Sequence, residues 1–369
     1  MNKICHITVL NPSTHNRIFH KLAKSQTSFG YEVFIIGQDS AKAPYELEGV
    51  HILPIPEFGR LSIQRLIQYP IRMWRYTRKY PAQIYWLHTP ELMWLGAILR
   101  LLGKKVVYDV HEDYSQTILY AKHYPSWIRK PIAFCLRRLE KRWASTLDAV
   151  VYAESCYDNI LELPPARFYL LRNTFSFRSD DLKACELPFQ AGSYMLYTGT
   201  IAEEWGIFRS LALWQELHSF TVLPFIIAGF THSPQLVKRI QQWVESAGIE
   251  EHFALIGGTS YVPYEEIVYL IKNCRFGTAL YEINPAIQGK IPTKFYEYMA
   301  FDKALVYTPE PAWVEFDNNN RLGVAWKSNT DRERLWASLQ SWKAVHTPAQ
   351  FSWEQDEKVL EHLLSQISL

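Results

Sequence analysis

The chain has 369 residues, 48% of them hydrophobic and 15% aromatic, with a formal net charge of +2. This composition excludes a disordered chain, and the length suits two domains of roughly 180 residues, each able to bury its own core. Cys5, Cys135, Cys156, Cys185 and Cys274 are odd in number and show no C-x-x-C spacing. They read as reduced thiols of a cytoplasmic protein, not as a disulfide framework or a zinc site.

The amino end, MNKICHITVL, is too short an apolar run for a signal peptide and reads as a first parallel strand at Ile4–Leu10. A loop, NPSTHNR, and a helix to about Phe29 follow, with Gly30 ending the helix. Further strands are predicted at Tyr31–Gly37, Val50–Ile55, Ile84–Leu87, Val106–Val110 and Ala149–Tyr152. Helices are predicted at Arg60–Tyr80, interrupted at Pro70, and at Glu91–Leu102 and Ser126–Ser145. The most apolar of them, Leu92–Leu102, carries Arg100 and is too short to span a bilayer. Arg172–Gly192 has no clear period and reads as a linker. The alternation restarts with strands at Tyr194–Thr198, Val222–Ala228, Phe253–Ile256 and Phe276–Leu280, separated by helices at Gly206–His218, Pro234–Ala247 and Tyr264–Asn273. A short helix at Pro292–Ala300, strands at Ala304–Thr308 and Val324–Trp326, and helices at Asp331–Ala344 and Ser352–Ile367 complete the chain. Such alternation predicts an α/β protein: two Rossmann-like, doubly wound domains, with a cleft outside the carboxyl ends of their sheets. The expected boundaries are 1–175, a linker at 176–192, a second domain at 193–350, and a final helix at 351–369 that could pack back on the first domain.

Between Arg60 and Ser145 sixteen Lys and Arg stand against five Asp and Glu, a local charge of +11 that leaves −9 for the remainder. Helices 60–80 and 126–145 interleave these cations with Ile, Leu, Trp and Phe. That pattern suits an anionic membrane surface, or equally a solvated basic face over a packed core. No recognised nucleic-acid module accompanies the charge, so nucleic acid is not an expected partner.

The most informative stretch is Tyr281–Thr308, YEINPAIQGKIPTKFYEYMAFDKALVYT. Pro292 suits the first position of its helix, and Ile291 has no side-chain oxygen to cap it. The N–H groups of Thr293 and Lys294 are then available to an anion. Lys294 and Glu297 lie on one flank, where they could hold a diphosphate and a ribose, or form only a surface ion pair. G-x-G-x-x-G, Walker A, Asp-x-Asp and G-x-S-x-G motifs are absent. A dinucleotide oxidoreductase, a P-loop NTPase and a metal clamp on a diphosphate lose support accordingly. No cofactor or metal is expected beyond a donor substrate neutralised by Lys, Arg and helix N-termini.

Four segments, NRIFHKLAKSQTSFGYEVFIIG, YWLHTPELMWLGAILRLLGKKVVYDVHEDY, YTGTIAEEWGI and IPTKFYEYMAFDKALVY, occur in an order and spacing that resemble the family 4-like (group 1) glycosyltransferases of the GT-B fold. The resemblance covers nearly the whole chain. It implies an acceptor-binding first domain, a nucleotide-sugar-binding second domain, independence from metal, and retention of anomeric configuration. It also implies that Glu297 binds ribose, that Lys294 contacts the phosphates, and that Gly199 with Thr200 opens the donor loop. His111, in DVHED, matches a histidine that the family places by the sugar, although the residue type alone is equally that of a satisfied core histidine. Asn16 and Arg17 are expected on the first domain's cleft-facing loop, where Asn16 could equally be a helix cap.

The pattern also departs from the family. Gly289 stands where the first Glu of E-x7-E belongs, and Thr200 and Trp205 replace an Arg–Lys pair. Lys290, Lys294 and Arg17 could supply the missing positive charge. The expected activity is transfer of a sugar from a UDP- or GDP-linked donor to a glycan or lipid-linked acceptor in polysaccharide or glycoconjugate synthesis, in the cytoplasm or on the membrane's inner face. The alternatives are a catalytically silent nucleotide-sugar-binding partner subunit, or an epimerase or hydrolase on the same fold.

Overall fold

The computed structural model describes residues 2–41, 43–56, 63–120, 125–157, 160–161, 164, 167–176, 184–219, 221–285, 287–345 and 348–368, without the side chains of 63–68 and 70. Arg60 and most of the predicted linker's first half lie outside the described residues. The chain divides into two compact units, one made of Met1–Ser176 and Trp353–Leu369, the other of Phe177–Ser352.

The first unit is an eight-stranded sheet: β1 Lys3–Pro12, β2 Glu32–Gln38, β3 Tyr45–Leu47, β4 Val50–Ile55, β5 Ile84–Leu87, β6 Lys105–Val110, β7 Ala149–Tyr152 and β8 Phe168–Leu170. Their order is 3-4-2-1-5-6-7-8. Every pairing is parallel except β3 with β4. Runs such as Ile84–Leu87 and Ala149–Tyr152 are buried at every position, because both sheet faces are covered. One face packs Cys5, Ile7, Val9, Tyr108 and Val150, and the other Ile4, Trp86, Val107 and Val151. The final helix, Trp353–Ser368, contributes Trp353, Leu360, Leu363 and Leu364 to that second face. Its Asp356 accepts from the Arg172 backbone N–H at 3.0 Å and the Thr174 hydroxyl at 2.8 Å.

The second unit is a six-stranded, wholly parallel sheet: β9 Met195–Thr200, β10 Phe225–Phe230, β11 Phe253–Gly258, β12 Phe276–Ala279, β13 Ala304–Tyr307 and β14 Gly323–Ala325. Their order is 11-10-9-12-13-14. Chain order reverses at β1/β5 in the first sheet and at β9/β12 in the second. In open α/β sheets, ligands bind at the carboxyl ends of the strands on either side of such a switch.

Some elements differ from the sequence expectation. The helix Ile63–Lys79 passes through Pro70 without a break, with Tyr69 and Met73 on either side anchored in the core. The first helix opens instead with a π-type segment, Arg17–Ala23, in which the Lys21 N–H reaches back to the Asn16 carbonyl at 3.2 Å. The edge strands β3 and β8, three residues each, carry no readable period. Neither does the helix Pro311–Asn320, whose polar end DNNN hides its pattern; Glu310 caps it by accepting from the Trp313 N–H at 3.1 Å.

Candidate functional site

Each unit carries a polar cluster at its own switch point. In the second unit, the last residue but one of β9 is Gly199, whose φ of +87° favours glycine and where a Cβ would lie 3.4 Å from Lys294 Cε. The helix Thr293–Met299 is buried from Lys294 onward. Lys294 is 8% exposed and Glu297 9%, so the surface-pair alternative is overturned: the apolar side chains of the same short helix draw both charges inward. Lys294 Nζ sits 4.4 Å from the Tyr197 ring centroid and 5.3 Å from that of Tyr281, with no ion pair among the described residues. Burial lowers its pKa to about 8, against the opposing pull of Glu297. Glu297 Oε1 accepts from the Tyr264 hydroxyl at 3.0 Å. Gly199, Lys294 and Glu297 therefore share one tyrosine-walled pocket, and the three tyrosines carried no sequence signal beyond a high aromatic content.

The remaining residues expected in this unit lie around that pocket. Thr200 and Thr293 are exposed, and the Thr200 carbonyl accepts from the Tyr197 hydroxyl at 2.7 Å. Pro292 offers no side-chain cap to the helix. The Lys290 carbonyl accepts from Trp313 Nε1 at 2.5 Å. Gly289 takes a φ of +79° and donates its N–H to Glu310 Oε1 at 3.3 Å. A glutamate there would be strained, which accounts physically for the missing first acid.

In the first unit, strand alternation places His6, His88, Asp109 and His111 on one sheet face, across the β1–β5–β6 register. His6 Nε2 lies 2.6 Å from Gln26 Oε1, and His6 Nδ1 lies 2.9 Å from His88 Nε2. His88 Nδ1 and His111 Nε2 converge on Asp109 Oδ2, at 3.1 and 2.8 Å. His111 is 11% exposed at its side chain, and its ring stacks on His15 with centroids 5.6 Å apart. Burial pushes His6 and His15 down to about 3 and His88 to about 4, so these three rings are neutral at pH 7.

Arg17 requires correction. It does not face solvent from a loop; it is 1% exposed, and its guanidinium grips both Asp109 oxygens at 2.7–3.1 Å and the Leu171 carbonyl at 2.7 Å. Its charge balances Asp109 and cannot also neutralise a diphosphate. Burial alone would raise the Asp109 carboxyl, but Arg17 and His111 outweigh it and hold Asp109 well below the usual range. Asn16 makes no capping bond either, and its Oδ1 is buried without a partner among the described residues. The donor atoms of His88, Asp109 and His111 lie within 4.8 Å of one another, close enough to chelate a divalent ion. With Arg17 already neutralising Asp109, such an ion would sit in a buried pocket of net positive charge, so these residues fit a hydrogen-bond network better than a metal. Asp109 was legible as a charge inside an apolar strand, VVYDV, and His6 as a polar interruption of CHITVL.

Residues 13–160 match the model of the glycosyl transferase 4-like domain. The fold of the chain is GT-B. Sucrose-phosphate synthase from Thermosynechococcus elongatus aligns with a TM-score of 0.65 at 12% identity, over 100% of this chain and 96% of that one. HepE from Anabaena, in complex with UDP-glucose, gives 0.64 at 13%, over 99% of each chain. The catalytic domain of starch synthase IV from Arabidopsis thaliana, bound to ADP and acarbose, gives 0.62 at 10%, over 100% and 99%. No curated protein sequence matches the chain significantly. The matched segment, residues 13–160, contains the entire His88–Asp109–His111 junction, while the Lys294 cluster lies beyond it.

Proposed function

We propose that the protein transfers a sugar, with retention of configuration and without a metal, from a UDP- or GDP-linked donor to a lipid-linked or glycan acceptor. The observation that carries this reading is the buried Lys294 ammonium beside Gly199, without an ion pair among the described residues, with Glu297 one helical turn further along the same helix. A cation next to exposed backbone suits a diphosphate, and a carboxylate can accept from both ribose hydroxyls. Retention would let the leaving phosphate take the acceptor's proton. The complexes of HepE with UDP-glucose and of starch synthase IV with ADP support a nucleotide as the ligand.

A panel of nucleoside diphosphates tests this reading by thermal stabilisation in the absence of metal. Ligand at 100 times its Kd adds about 2.7 kcal/mol. We expect a shift with one diphosphate, lost in Glu297→Ala. No shift with any of them would favour a silent partner subunit.

Two features of the first unit favour a lipid-linked acceptor. A cavity of about 280 Å³ is lined mainly by apolar groups, including Val9, Leu92, Trp94, Leu136 and Trp143. The helix Ser126–Ala144 also exposes Trp127 (77%), Phe134 (60%) and Leu139 (48%) among Lys130, Arg138 and Arg142. No helix among the described residues is long and apolar enough to cross a membrane. Surface association is the corresponding proposal. Vesicles containing anionic lipid should bind the protein in a salt-sensitive manner, and Trp127→Ser with Phe134→Ser should weaken binding at least tenfold. Equal sedimentation with neutral vesicles would remove the membrane from the proposal.

A further inference from the structure

The His111 imidazole can carry its proton on either nitrogen, and which one decides what the ring offers a ligand. Its Nε2 lies 2.8 Å from Asp109 Oδ2, an attractive distance only if a proton lies between them. Asp109 is held ionised by Arg17, whose Nη2 lies 2.7 Å from Oδ1, so that proton belongs to the histidine. The chain behind Asp109 points the same way. His6 Nε2 faces Gln26 Oε1, and with the amide in this orientation it donates to that oxygen, which leaves His6 Nδ1 as an acceptor. His88 then donates from Nε2 to His6, leaving its Nδ1 bare at 3.1 Å from both Asp109 Oδ2 and His111 Nε2. Without a proton on His111 Nε2, three lone pairs would meet in a fully buried space.

We infer that Asp109 is a positioning residue: it holds His111 with its proton on Nε2, leaving Nδ1 as a bare hydrogen-bond acceptor for a ligand hydroxyl at the carboxyl end of β6. His6, with Gln26, contributes by turning His88's proton away from the junction, so that His88 does not compete for Asp109. The partners of Nε2 are fully buried and the His111 side chain is 11% exposed, so a ligand reaches the ring from its other edge. A bare acceptor nitrogen suits a sugar or acceptor hydroxyl and repels phosphate oxygens. The extension to a sugar hydroxyl rests on the glycosyl-transfer reading; the tautomer does not.

The test is two-bond ¹H–¹⁵N correlation of the histidine rings in uniformly labelled full-length protein near neutral pH, with His111 assigned from its missing signals in His111→Gln. The expected pattern is a pyrrole-like Nε2 and a pyridine-like Nδ1. A pyrrole-like Nδ1 in the unmodified protein overturns the inference, whatever the enzyme turns out to transfer. Asp109→Asn alone would strand the Arg17 guanidinium, so it is paired with Arg17→Met. There the Asn amide can donate toward the ring, and the His111 proton is expected to move to Nδ1. A folded double variant that keeps the Nε2–H pattern would show that Asp109 does not hold the proton, and would equally overturn the assignment.

Discussion

Arg17→Met is expected to destabilise the first unit by about 3–5 kcal/mol, the cost typical of leaving one partner of a buried ion pair uncompensated. For a unit of this size that lowers its melting temperature on the order of 10 °C. Three contacts to Asp109 and one to the Leu171 carbonyl are lost together, and Asp109 remains as a carboxylate with no exposed surface. Arg17→Lys should recover only part of the loss, because an ammonium cannot reproduce the planar fork. Differential scanning calorimetry reads the effect, and a change under 1 kcal/mol would mean that water or a rearranged side chain replaces the guanidinium. The sign with pH is also defined. The Asp109 carboxyl is depressed in the folded state, so its stabilisation is complete above the unfolded value of 3.8 and is lost as the pH falls below it.

Lys294→Ala is expected to weaken nucleoside diphosphate binding by about 1.5–3 kcal/mol, roughly 10- to 150-fold, the range for hydrogen bonds to charged groups. Isothermal titration calorimetry measures it, and unchanged affinity would move the diphosphate away from Gly199. The pKa of about 8 adds a second signature. An anion arriving beside the ammonium favours its charged form, so binding above pH 8 should take up protons, and affinity should fall as the pH rises through that value. Buffers of different ionisation enthalpy reveal the uptake as a change in apparent binding heat. In the unliganded protein the sign is the reverse of an ordinary paired lysine. The unfolded chain binds the proton more tightly, so the cost of burying the charge is full below about 8 and is relieved as the pH rises toward 10.5.

The fold was legible because period and punctuation agree. Pro234–Ala247 and Tyr264–Asn273 begin and end where Ser233 or Pro263 precedes and Gly248 or Cys274 follows, and strands such as Ile84–Leu87 and Ala149–Tyr152 are unbroken apolar runs. The three-residue edge strands are too short to show a period. The Lys294 cluster was half legible: the lysine, the glutamate and the glycine could be read, but the tyrosines around them come from β9, the segment after β12 and the helix Tyr264–Asn273, and proximity across strands is not written locally. Arg17 was misread for the same reason. A basic residue after a polar loop looks solvent-exposed until Asp109, ninety-two positions away, is placed against it.

The return of Trp353–Ser368 to the first unit makes the second unit an uninterrupted insertion within the first. The insertion begins and ends at neighbouring points, since the Trp353 N–H donates to the Phe175 carbonyl at 2.7 Å. During synthesis the inserted unit is the first to have all its residues available. The first unit's sheet, although translated earlier, waits with part of one face uncovered until the helix Trp353–Ser368 has been made. Truncations that remove Trp353–Ser368 would therefore damage the earlier-made unit and spare the inserted one.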